Sequence, residues 1–352
     1  MESYIIGETA YNHEGDFQYL KRMITDIYEV GLNAVKFHLL LDPYSYFQKK
    51  HPLAEDIKKW MFCKEQWDDL IEFSHKNKLD VIALCDDIES IKFINERHKD
   101  IKAIELHATS LNEYYMLKEV IDFPNQIILG IGGSTLDEIA YAVDFLKKNG
   151  KNDILLMYGF QAYPTDYQDI NLSKMIKIKD LFNLAIGYAD HTAFNDENNI
   201  DISVMAAATG FHILEKHYTP DFGVERVDYH AAVGKAQMRA IKKKMELYLN
   251  IFGDGSISMS IPETNYGNTG PMKKAVVAKK DIYKGEKLCL DHLCFKRTEE
   301  ESTIRQKDFK GLIGLEVLVD MKEDEIIDFS KVKYHFKKAA YSDVTGGLGE
   351  KK

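Results

Sequence analysis

Cysteine is scarce in this chain, and the cysteines present form no recognisable pair. The 352 residues contain four, without a CxxC spacing: Cys63, Cys85, Cys289 and Cys294. Disulfide frameworks and structural zinc sites usually show closely spaced cysteine pairs. We therefore expect free thiols in a reducing compartment, and we predict a cytoplasmic location.

Long hydrophobic runs are also missing, and so is an excess of positive charge. No stretch approaches the roughly 18 apolar residues of a membrane helix, and no basic segment with a long apolar run marks the start as a signal peptide. The formal net charge of −10 argues against general binding of nucleic acids or anionic membranes. We therefore expect neither a nucleic acid nor a membrane as a partner. A small anionic substrate stays possible, because an acidic protein can still have a locally positive binding site.

What the chain does have is a regular alternation of short apolar runs and amphipathic segments. Strands that alternate with helices predict a parallel sheet, and eight such units fit a closed (β/α)₈ barrel. We therefore predict an α/β fold with a catalytic barrel over residues 1–255. The eight runs are Tyr4–Gly7, Ala34–Phe37, Val81–Cys85, Ala103–Leu106, Gln126–Gly130, Ile154–Tyr158, Leu184–Tyr188 and His212–Glu215.

The composition changes after a long helical pattern over Ala231–Phe252. Residues 256–270 are rich in Gly, Ser, Asn and Thr, which is typical of a linker. Three short strand-like runs follow and predict a small second domain over residues 271–336. The remaining residues 337–352 are small and polar, and we predict a disordered tail. The three runs are Lys274–Lys280, Ile282–Leu288 and Ile313–Leu318.

Polar side chains follow most of the predicted strands, where a barrel would bring them to one pocket. Polar residues after a single strand can be explained by the solvated loop that follows it. Histidines and acids at the ends of several strands favour an active site instead. Lys36 and His38 are two positions apart and therefore lie on the same side of their strand. The other candidates at these ends are Glu8, Asn12, Glu105, His107, Gln161, Tyr163, Asp190, His191, Glu215 and His217.

The pattern allows more than one chemistry at these positions. His191 and His217 could bind one divalent metal and leave positions open for substrate, or form a metal-free hydrogen-bonded pair. Glu8 could be a general base or could orient a ligand, and its alternative is a buried ion pair with Lys36. The glycines at 130–133 could approach a phosphate through backbone N–H groups, although a plain turn explains them equally.

Several motifs taken together resemble the sialic acid synthase family, whose members condense phosphoenolpyruvate with an N-acylated mannosamine-type sugar. The resemblance extends to about residue 336, and the last three motifs look like the antifreeze-protein-like (SAF) domain that follows the barrel in this family. The motifs are Glu8–Gly15, Val35–Lys36, Tyr163–Thr165, Gly187–Thr192, Leu214–Thr219, Ala275–Gly285, Phe295–Arg297 and Gly311–Gly314.

The resemblance implies an enzyme that makes a nonulosonic, sialic-acid-like product and releases phosphate. It implies that His191 and His217 bind manganese, with magnesium or cobalt as alternatives. It implies that Glu8 is the catalytic acid/base and that Lys36 lies near the phosphoenolpyruvate carboxylate or phosphate. Arg297 would reach the active site of a second subunit in a domain-swapped homodimer. The further implied substrate contacts are Gln161, Tyr163 and Asp228.

This chain departs from the family where the phosphate should bind. Glu105 stands in place of a lysine, Ala189 in place of a serine, and Gly130 begins the stretch that replaces Ser-Thr-Gly. Leu84 begins the stretch that replaces the Ser/Thr-Pro pair after the third strand. Three hypotheses therefore remain: a synthase of this family, a metal-dependent lyase, aldolase or isomerase on a different substrate, and a non-catalytic sugar-binding subunit.

Overall fold

A computed structural model of the chain describes residues 2–160, 162 and 164–335. The described residues divide into two compact units, one that ends at Gly255 and one that begins at Ser256. The predicted tail 337–352 and the predicted substrate contacts Gln161 and Tyr163 lie outside the described residues. Within those residues, we find no helix that is long and apolar enough to span a membrane.

The first unit is a closed barrel of eight parallel strands in sequence order, which confirms the predicted fold class. The strands are β1 (Tyr4–Glu8), β2 (Ala34–Leu39), β3 (Asp80–Cys85), β4 (Ala103–Leu106), β5 (Gln126–Gly130), β6 (Ile154–Tyr158), β7 (Ala185–Asp190) and β8 (Ile213–His217).

Helices connect the strands on the outside of the barrel. The helices of this unit are α1 (Phe17–Val30), α2 (Pro43–Tyr46), α3 (Ala54–Trp60), α4 (Lys64–Lys76), α5 (Ile88–Arg97), α6 (Tyr114–Glu119), α7 (Leu136–Lys148), α8 (Tyr167–Ile170), α9 (Leu172–Phe182), α10 (Asn199–Met205) and α11 (Lys235–Phe252). Short 3₁₀ turns precede or follow several of them: Ala108–Ser110, Val120–Asp122, Ala207–Thr209 and Tyr229–Ala231.

Helix α1 shows why these segments fold as they do. The Asp16 carboxylate accepts hydrogen bonds from the backbone N–H groups of Gln18 and Tyr19, which satisfies two of the free donors at the helix start. Gly31 ends the helix in the left-handed conformation, with φ of 77°. The apolar face of α1 is buried against the strands, so local caps and burial specify the same boundaries.

The barrel interior separates an apolar layer from the functional strand ends. Alternate strand residues point inward. Those near the amino-terminal end of the barrel and at mid-height form an apolar cluster. The buried inward side chains Lys36, Glu105 and Glu215 each follow a residue of this layer by two or more positions towards the carboxyl ends, and they place the site there. The cluster contains Ile6, Ala34, Ile82, Ala103, Ile128, Leu155, Met157 and Ala189.

The second unit has its own small apolar core and differs in part from the prediction. An antiparallel pair forms between β9 (Ala275–Ala278) and β10 (Leu293–Lys296). The predicted strands Ile282–Leu288 and Ile313–Leu318 are wrong, because these segments contain isolated bridges such as Lys287 with Glu316. Their apolar side chains still pack into the core, and that burial produced the strand-like pattern. The 3₁₀ turns of this unit are Leu290–His292 and Gln306–Leu312.

The predicted linker 256–270 contains a short helix, α12 (Ile261–Tyr266). Ser260 and Glu263 form a capping box: each side chain accepts a hydrogen bond from the other residue's backbone N–H. This Ser-x-x-Glu spacing is visible in the sequence, and its helix signal was missed among the surrounding Ser, Asn and Gly.

Candidate metal and substrate site

Strand register brings the first three functional side chains together. Glu8 at the end of β1 pairs with Lys36 on β2 and with His217 on β8. Strands β1 and β8 are neighbours only because the barrel closes, so Glu8 and His217 meet although 208 sequence positions separate them. The side chains of all three residues are almost completely buried.

Glu8, His191 and His217 form a group that could hold a metal ion. Each offers one ligand atom, and the three atoms lie within 4.8 Å of one another. The imidazole rings of His191 and His217 lie 5.0 Å apart between centroids. His191 Nδ1 and His217 Nε2 are buried without a hydrogen-bond partner, although the second lies 3.2 Å from Glu8 Oε2. A hydrogen-bonded pair would not leave both atoms free, so the residues fit a bound cation.

The ionisation of both histidines suits a metal site. Burial, followed by the neighbouring His217, lowers the pKa of His191 to about 3. Burial likewise lowers the pKa of His217. Both imidazoles are therefore neutral at physiological pH, which is the form that binds metals. Two neutral imidazoles with a carboxylate are ligands that divalent transition metals favour.

Lys36 lies at the centre of three buried carboxylates. Its Nζ is 2.7 Å from Glu215, 3.1 Å from Glu105 and 3.2 Å from Glu8. Burial opposes the charge of Lys36, but these three neighbours outweigh it and raise the pKa of the amine. The ion pair between Glu8 and Lys36 and the metal-site geometry therefore occur in the same structure. Lys36 stays charged.

The three carboxylates differ in their ionisation. Burial alone would raise the pKa of Glu8, but Lys36 and the nearby imidazoles hold it well below its usual range. Burial and then the charge of Glu8 raise the pKa of Glu215 well above its usual range. Burial also raises the pKa of Glu105. Glu8 is thus the carboxylate that carries charge next to the candidate metal, while Glu215 is the one best placed to hold a proton.

His38 connects Glu8 to a residue that sequence reasoning missed. His38 Nε2 lies 2.9 Å from Glu8 Oε1, and its Nδ1 lies 3.6 Å from Asp86 Oδ2. Tyr11 donates a hydrogen bond of 2.9 Å to the same Asp86 oxygen. Burial opposes protonation of His38, but hydrogen bonds to Asp86 and Glu8 raise its pKa to about 10. In the sequence, the Asp86-Asp87 pair directly after β3 is the feature that could have indicated Asp86 as a site residue.

A cavity of about 340 Å³ opens above Lys36 at the carboxyl ends of the strands. His107, which follows β4, lies at its rim, and burial with the charge of His38 lowers its pKa to about 4. Six of the ten predicted strand-end residues that the structure describes therefore line one space. The described lining consists of Glu8, Lys36, Glu105, His107, Ala108, Thr109, Gly130, Gly132, Gly133, Met157, Gly159, Phe160, Ala189, His191 and Glu215.

Asp190 does not line this cavity. Its carboxylate accepts hydrogen bonds from Lys216 at 2.6 Å, Ser203 at 2.5 Å and Thr192 at 2.6 Å. Asp190 and Lys216 are paired in register on β7 and β8, next to α10, which carries Ser203. The sequence predicts Asp190 as a substrate-binding residue, whereas the structure gives its side chain a supporting position directly before His191.

Asn12 and Asp228 lie in the loops around Glu8. The Asn12 amide donates to the Val227 carbonyl at 2.8 Å and accepts from Tyr19 at 3.1 Å. Asn12 therefore holds the β8 loop next to Asp228, and its side chain is occupied by protein groups. Asp228 has a positive φ of 63° and lies near His217, where its charge affects the pKa of that imidazole.

Arg297 belongs to the second unit and follows β10. Its guanidinium donates a hydrogen bond of 2.7 Å to the Pro271 carbonyl and is exposed. The structure of this unit therefore leaves the side chain accessible, and its implied role in a second subunit stays a prediction.

Two families of known proteins match the chain. The NeuB family matches residues 23–256, and the SAF domain matches residues 273–333. This chain belongs to the NeuB family. The match confirms the resemblance inferred from the sequence motifs, and the SAF domain covers most of the second unit.

Two relatives of the chain are named as synthases. The chain is 29% identical to the N,N'-diacetyllegionaminic acid synthase of Campylobacter jejuni over 92% of this chain and 98% of that protein. It is 25% identical to the human N-acetylneuraminate-9-phosphate synthase over 95% of this chain and 94% of that protein. An uncharacterised protein of Methanocaldococcus jannaschii is 28% identical over 92% of this chain and 93% of its own length.

Solved structures agree with this fold. The sialic acid synthetase of Leptospira borgpetersenii superposes with a TM-score of 0.69 at 26% identity, over 75% of this chain and 90% of that chain. A spore coat polysaccharide biosynthesis protein of Chromobacterium violaceum covers 95% of this chain and 100% of its own, with a TM-score of 0.80. At 19% identity, the second likeness concerns the fold alone.

Proposed function

We propose that this protein is a metal-dependent synthase that joins an aldose to a three-carbon acid and makes a nonulosonic acid. The observation that carries the proposal is the group of Glu8, His191 and His217 at the carboxyl ends of β1, β7 and β8. The relatives named as synthases of legionaminic and sialic acids support this class. The resemblance names phosphoenolpyruvate and an N-acylated hexosamine as substrates.

The chemistry divides between a bound cation and the chain's own residues. His191 and His217 would hold a divalent metal, which would supply Lewis acidity to polarise a carbonyl oxygen. We propose manganese, with magnesium or cobalt as alternatives. Glu8 stays charged beside the metal because of Lys36, and it orients the reacting groups or moves a proton. Glu215, with its raised pKa, is placed to hold a proton in the same cavity.

In the form that the resemblance implies, the methylene carbon (C3) of phosphoenolpyruvate would bond to the aldehyde carbon of the sugar, and the aldehyde oxygen would take a proton. Water would add to C2, the carbon that bears the phosphate, and phosphate would leave to give the 2-keto acid. Asp228, Gln161 and Tyr163 would contact the sugar. Arg297 from a second copy would complete the site in a domain-swapped homodimer. His38, Glu105, His107 and Glu215 would contact substrate from the strand ends.

Phosphate release tests this proposal directly. The protein is mixed with manganese, phosphoenolpyruvate and a panel of N-acylated hexosamines, and free phosphate is measured over time. We expect metal-dependent release with at least one sugar. Absence of release across a broad panel would contradict the phosphoenolpyruvate-dependent form of the proposal.

Matched histidine variants separate catalysis from folding. His191→Ala is expected to lower turnover at least 100-fold and to abolish stoichiometric manganese binding, because it removes a proposed ligand. His75→Ala changes a half-buried histidine of α4 whose Nδ1 lies 3.8 Å from Asp100 Oδ2, and it should leave both turnover and manganese binding unchanged. Turnover that survives His191→Ala would exclude the proposed role of His191 as a metal ligand. A wild-type protein that binds sugar but shows no turnover would instead indicate a non-catalytic sugar-binding subunit.

The cavity lining favours a second candidate. Glu105, Gly130 and Ala189 line the cavity at positions where phosphate-binding residues are expected. A metal-dependent lyase, aldolase or isomerase on a different substrate would use the same metal group without needing a phosphate contact.

A further inference from the structure

Helices α6 and α7 carry a continuous aromatic surface on the outside of the barrel. The ring of Phe145 on α7 lies 5.8 Å from that of Tyr114 on α6 and 6.4 Å from that of Tyr141, measured between centroids. Tyr115 extends the row, with its ring 5.5 Å from Tyr114. Phe145 packs against the barrel core, whereas the three tyrosines are 48–67% exposed.

The proposed reaction does not explain this exposure. The described lining of the strand-end cavity contains none of these four rings. Monomeric proteins expose only small contiguous apolar patches, and larger ones mark surfaces that associate. Tyrosine is common at such surfaces because its ring buries a large area while its hydroxyl keeps a polar partner. The tyrosines of α6 and α7 are thus suited to contact with another protein surface.

The charges beside Tyr141 indicate what covers this surface. Asp137 precedes Tyr141 by four positions and Lys148 follows it by seven, so the three side chains share one face of the helix. All three are exposed. Asp144, at the edge of the same face, lies within reach of Lys148 of its own helix. The face is therefore negative at its start and positive at its end, on either side of a tyrosine.

A second copy of the same helix completes this pattern when it lies antiparallel. A two-fold axis between positions 142 and 143 brings Asp137 of each copy opposite Lys148 of the other, so that the ion pair occurs twice. The Tyr141 rings of both copies then meet near the axis. A parallel arrangement would instead place like charges opposite each other. The face is therefore complementary to itself in the antiparallel orientation.

We propose that a second copy of this chain docks on this surface, with the two α7 helices antiparallel. We call the surface the α6–α7 face, and its members are Tyr114, Tyr115, Asp137, Tyr141 and Lys148. The tyrosines of α6 widen the contact beyond the helix pair, since a stable interface buries about 800 Å² on each partner. The contact goes beyond the proposed function and does not depend on it. It is also separate from the domain exchange that the family resemblance implies.

Charge reversal distinguishes this contact from an effect within one chain. Asp137 and Lys148 lie about 16 Å apart along the helix axis, because each residue rises about 1.5 Å, and they cannot pair within one copy. Across the interface they are direct neighbours. Reversal of either charge sets like charges opposite each other at both ends of the contact. Reversal of both charges restores opposite charges in each pair.

Light scattering during size-exclusion chromatography tests the proposal with the full chain. We expect Asp137→Lys and Lys148→Asp each to weaken association at least tenfold, which lowers the molar mass of the particle to half that of wild type at the same concentration. The double variant should recover the wild-type mass. Lys177→Asp reverses an exposed lysine on α9 and should leave the mass unchanged. Circular dichroism checks that each variant is folded.

The double variant also separates association from the stability of the helix. The native charges suit the helix macrodipole, with Asp137 in the first turn of α7 and Lys148 in the last. An effect on the helix alone would therefore make the double variant worse than either single variant, in thermal unfolding as well as in mass. Recovery of the mass requires a partner helix.

Two results overturn the proposal. A wild-type mass equal to that of Asp137→Lys would show that no second copy uses the α6–α7 face. A double variant that stays dissociated would show that Asp137 and Lys148 do not meet across an antiparallel contact. Either result leaves the proposed function intact, because phosphate release and manganese binding test that function through other residues.

Discussion

Lys36 is the residue on which the buried charge of the site depends. Its replacement by methionine leaves Glu8, Glu105 and Glu215 without their shared cation. Breaking a buried ion pair from one side typically costs about 3–5 kcal/mol of unfolding free energy. The carboxylates can escape part of this cost by protonation, so the deficit of Lys36→Met should be larger at pH 8 than at pH 5. Urea unfolding followed by circular dichroism at both values measures it.

Lys59→Met is the matched control for that experiment. Lys59 is exposed and pairs with Asp56 on the surface of α3, where an ion pair contributes little. Its unfolding free energy should stay close to that of the wild type at both pH values. An equally small effect of Lys36→Met would show that the three carboxylates do not depend on the lysine.

Asp190 should give the protein an acid-sensitive contribution to stability. Burial alone would raise its pKa, but Lys216 and several hydrogen bonds lower it from 3.8 to about 2. A lowered folded-state pKa stabilises the protein above the unfolded value, and this contribution disappears as the pH falls from about 4 to about 2. The shift corresponds to about 2 kcal/mol. Guanidinium unfolding of Asp190→Asn and wild type between pH 2 and pH 6 measures this contribution. The difference in their free energies of unfolding should be largest at pH 6.

The difference between Asp190→Asn and wild type should shrink as the pH approaches 2, where about half of the native Asp190 side chains are protonated. Asp56→Asn, on the exposed face of α3, provides the comparison and should follow the wild type throughout. A constant difference across the whole pH range would assign the effect to packing and not to the charge of Asp190.

At the scale of the elements, close contact between the β5 and β6 loops depends on glycine. A Cβ added to Gly132 would lie 2.1 Å from the Gly159 carbonyl oxygen. Because this oxygen belongs to the backbone, the β6 loop would have to move to relieve the clash. Gly133 has open space around it but a φ of +71°, where a side chain costs about 1–2 kcal/mol. We expect Gly132→Ala to lower the melting temperature more than Gly133→Ala does, as measured by calorimetry. The reverse order would contradict the backbone contact.

The elements also show where sequence patterns were sufficient. Helix α1 begins and ends where its caps and its apolar period predict, because both signals are local. The strands predicted at Ile282–Leu288 and Ile313–Leu318 failed because burial of apolar side chains in a small core does not require ladder pairing. The capping box of Ser260 and Glu263 that begins α12 is a local signal, because both residues lie within one turn of the chain.

At the scale of the whole molecule, each unit has its own core, and all three candidate metal ligands lie in the first. A chain that stops after Gly255 should therefore fold and bind one manganese ion. Thermal unfolding and metal analysis measure both. If Arg297 completes the site of a second copy, the shortened chain should lose turnover while it keeps the metal.

Arg297→Ala in the full chain is the control for that truncation. It should reproduce the loss of turnover without any change in manganese binding. Full turnover by the shortened chain would contradict the role that the resemblance assigns to Arg297.

The sequence alone determined the barrel, the order of its strands and the family, because hydrophobic period, caps and short motifs are local properties. It also identified Glu8, Lys36, His191 and His217 as the central candidates. The tertiary structure decided which partners these residues have. Closure of the barrel placed Glu8 between Lys36 and His217 and surrounded one lysine with three acids, while the pairing of β7 with β8 set Asp190 beside Lys216. Charge compensation depends on distances across the barrel, which no local pattern contains.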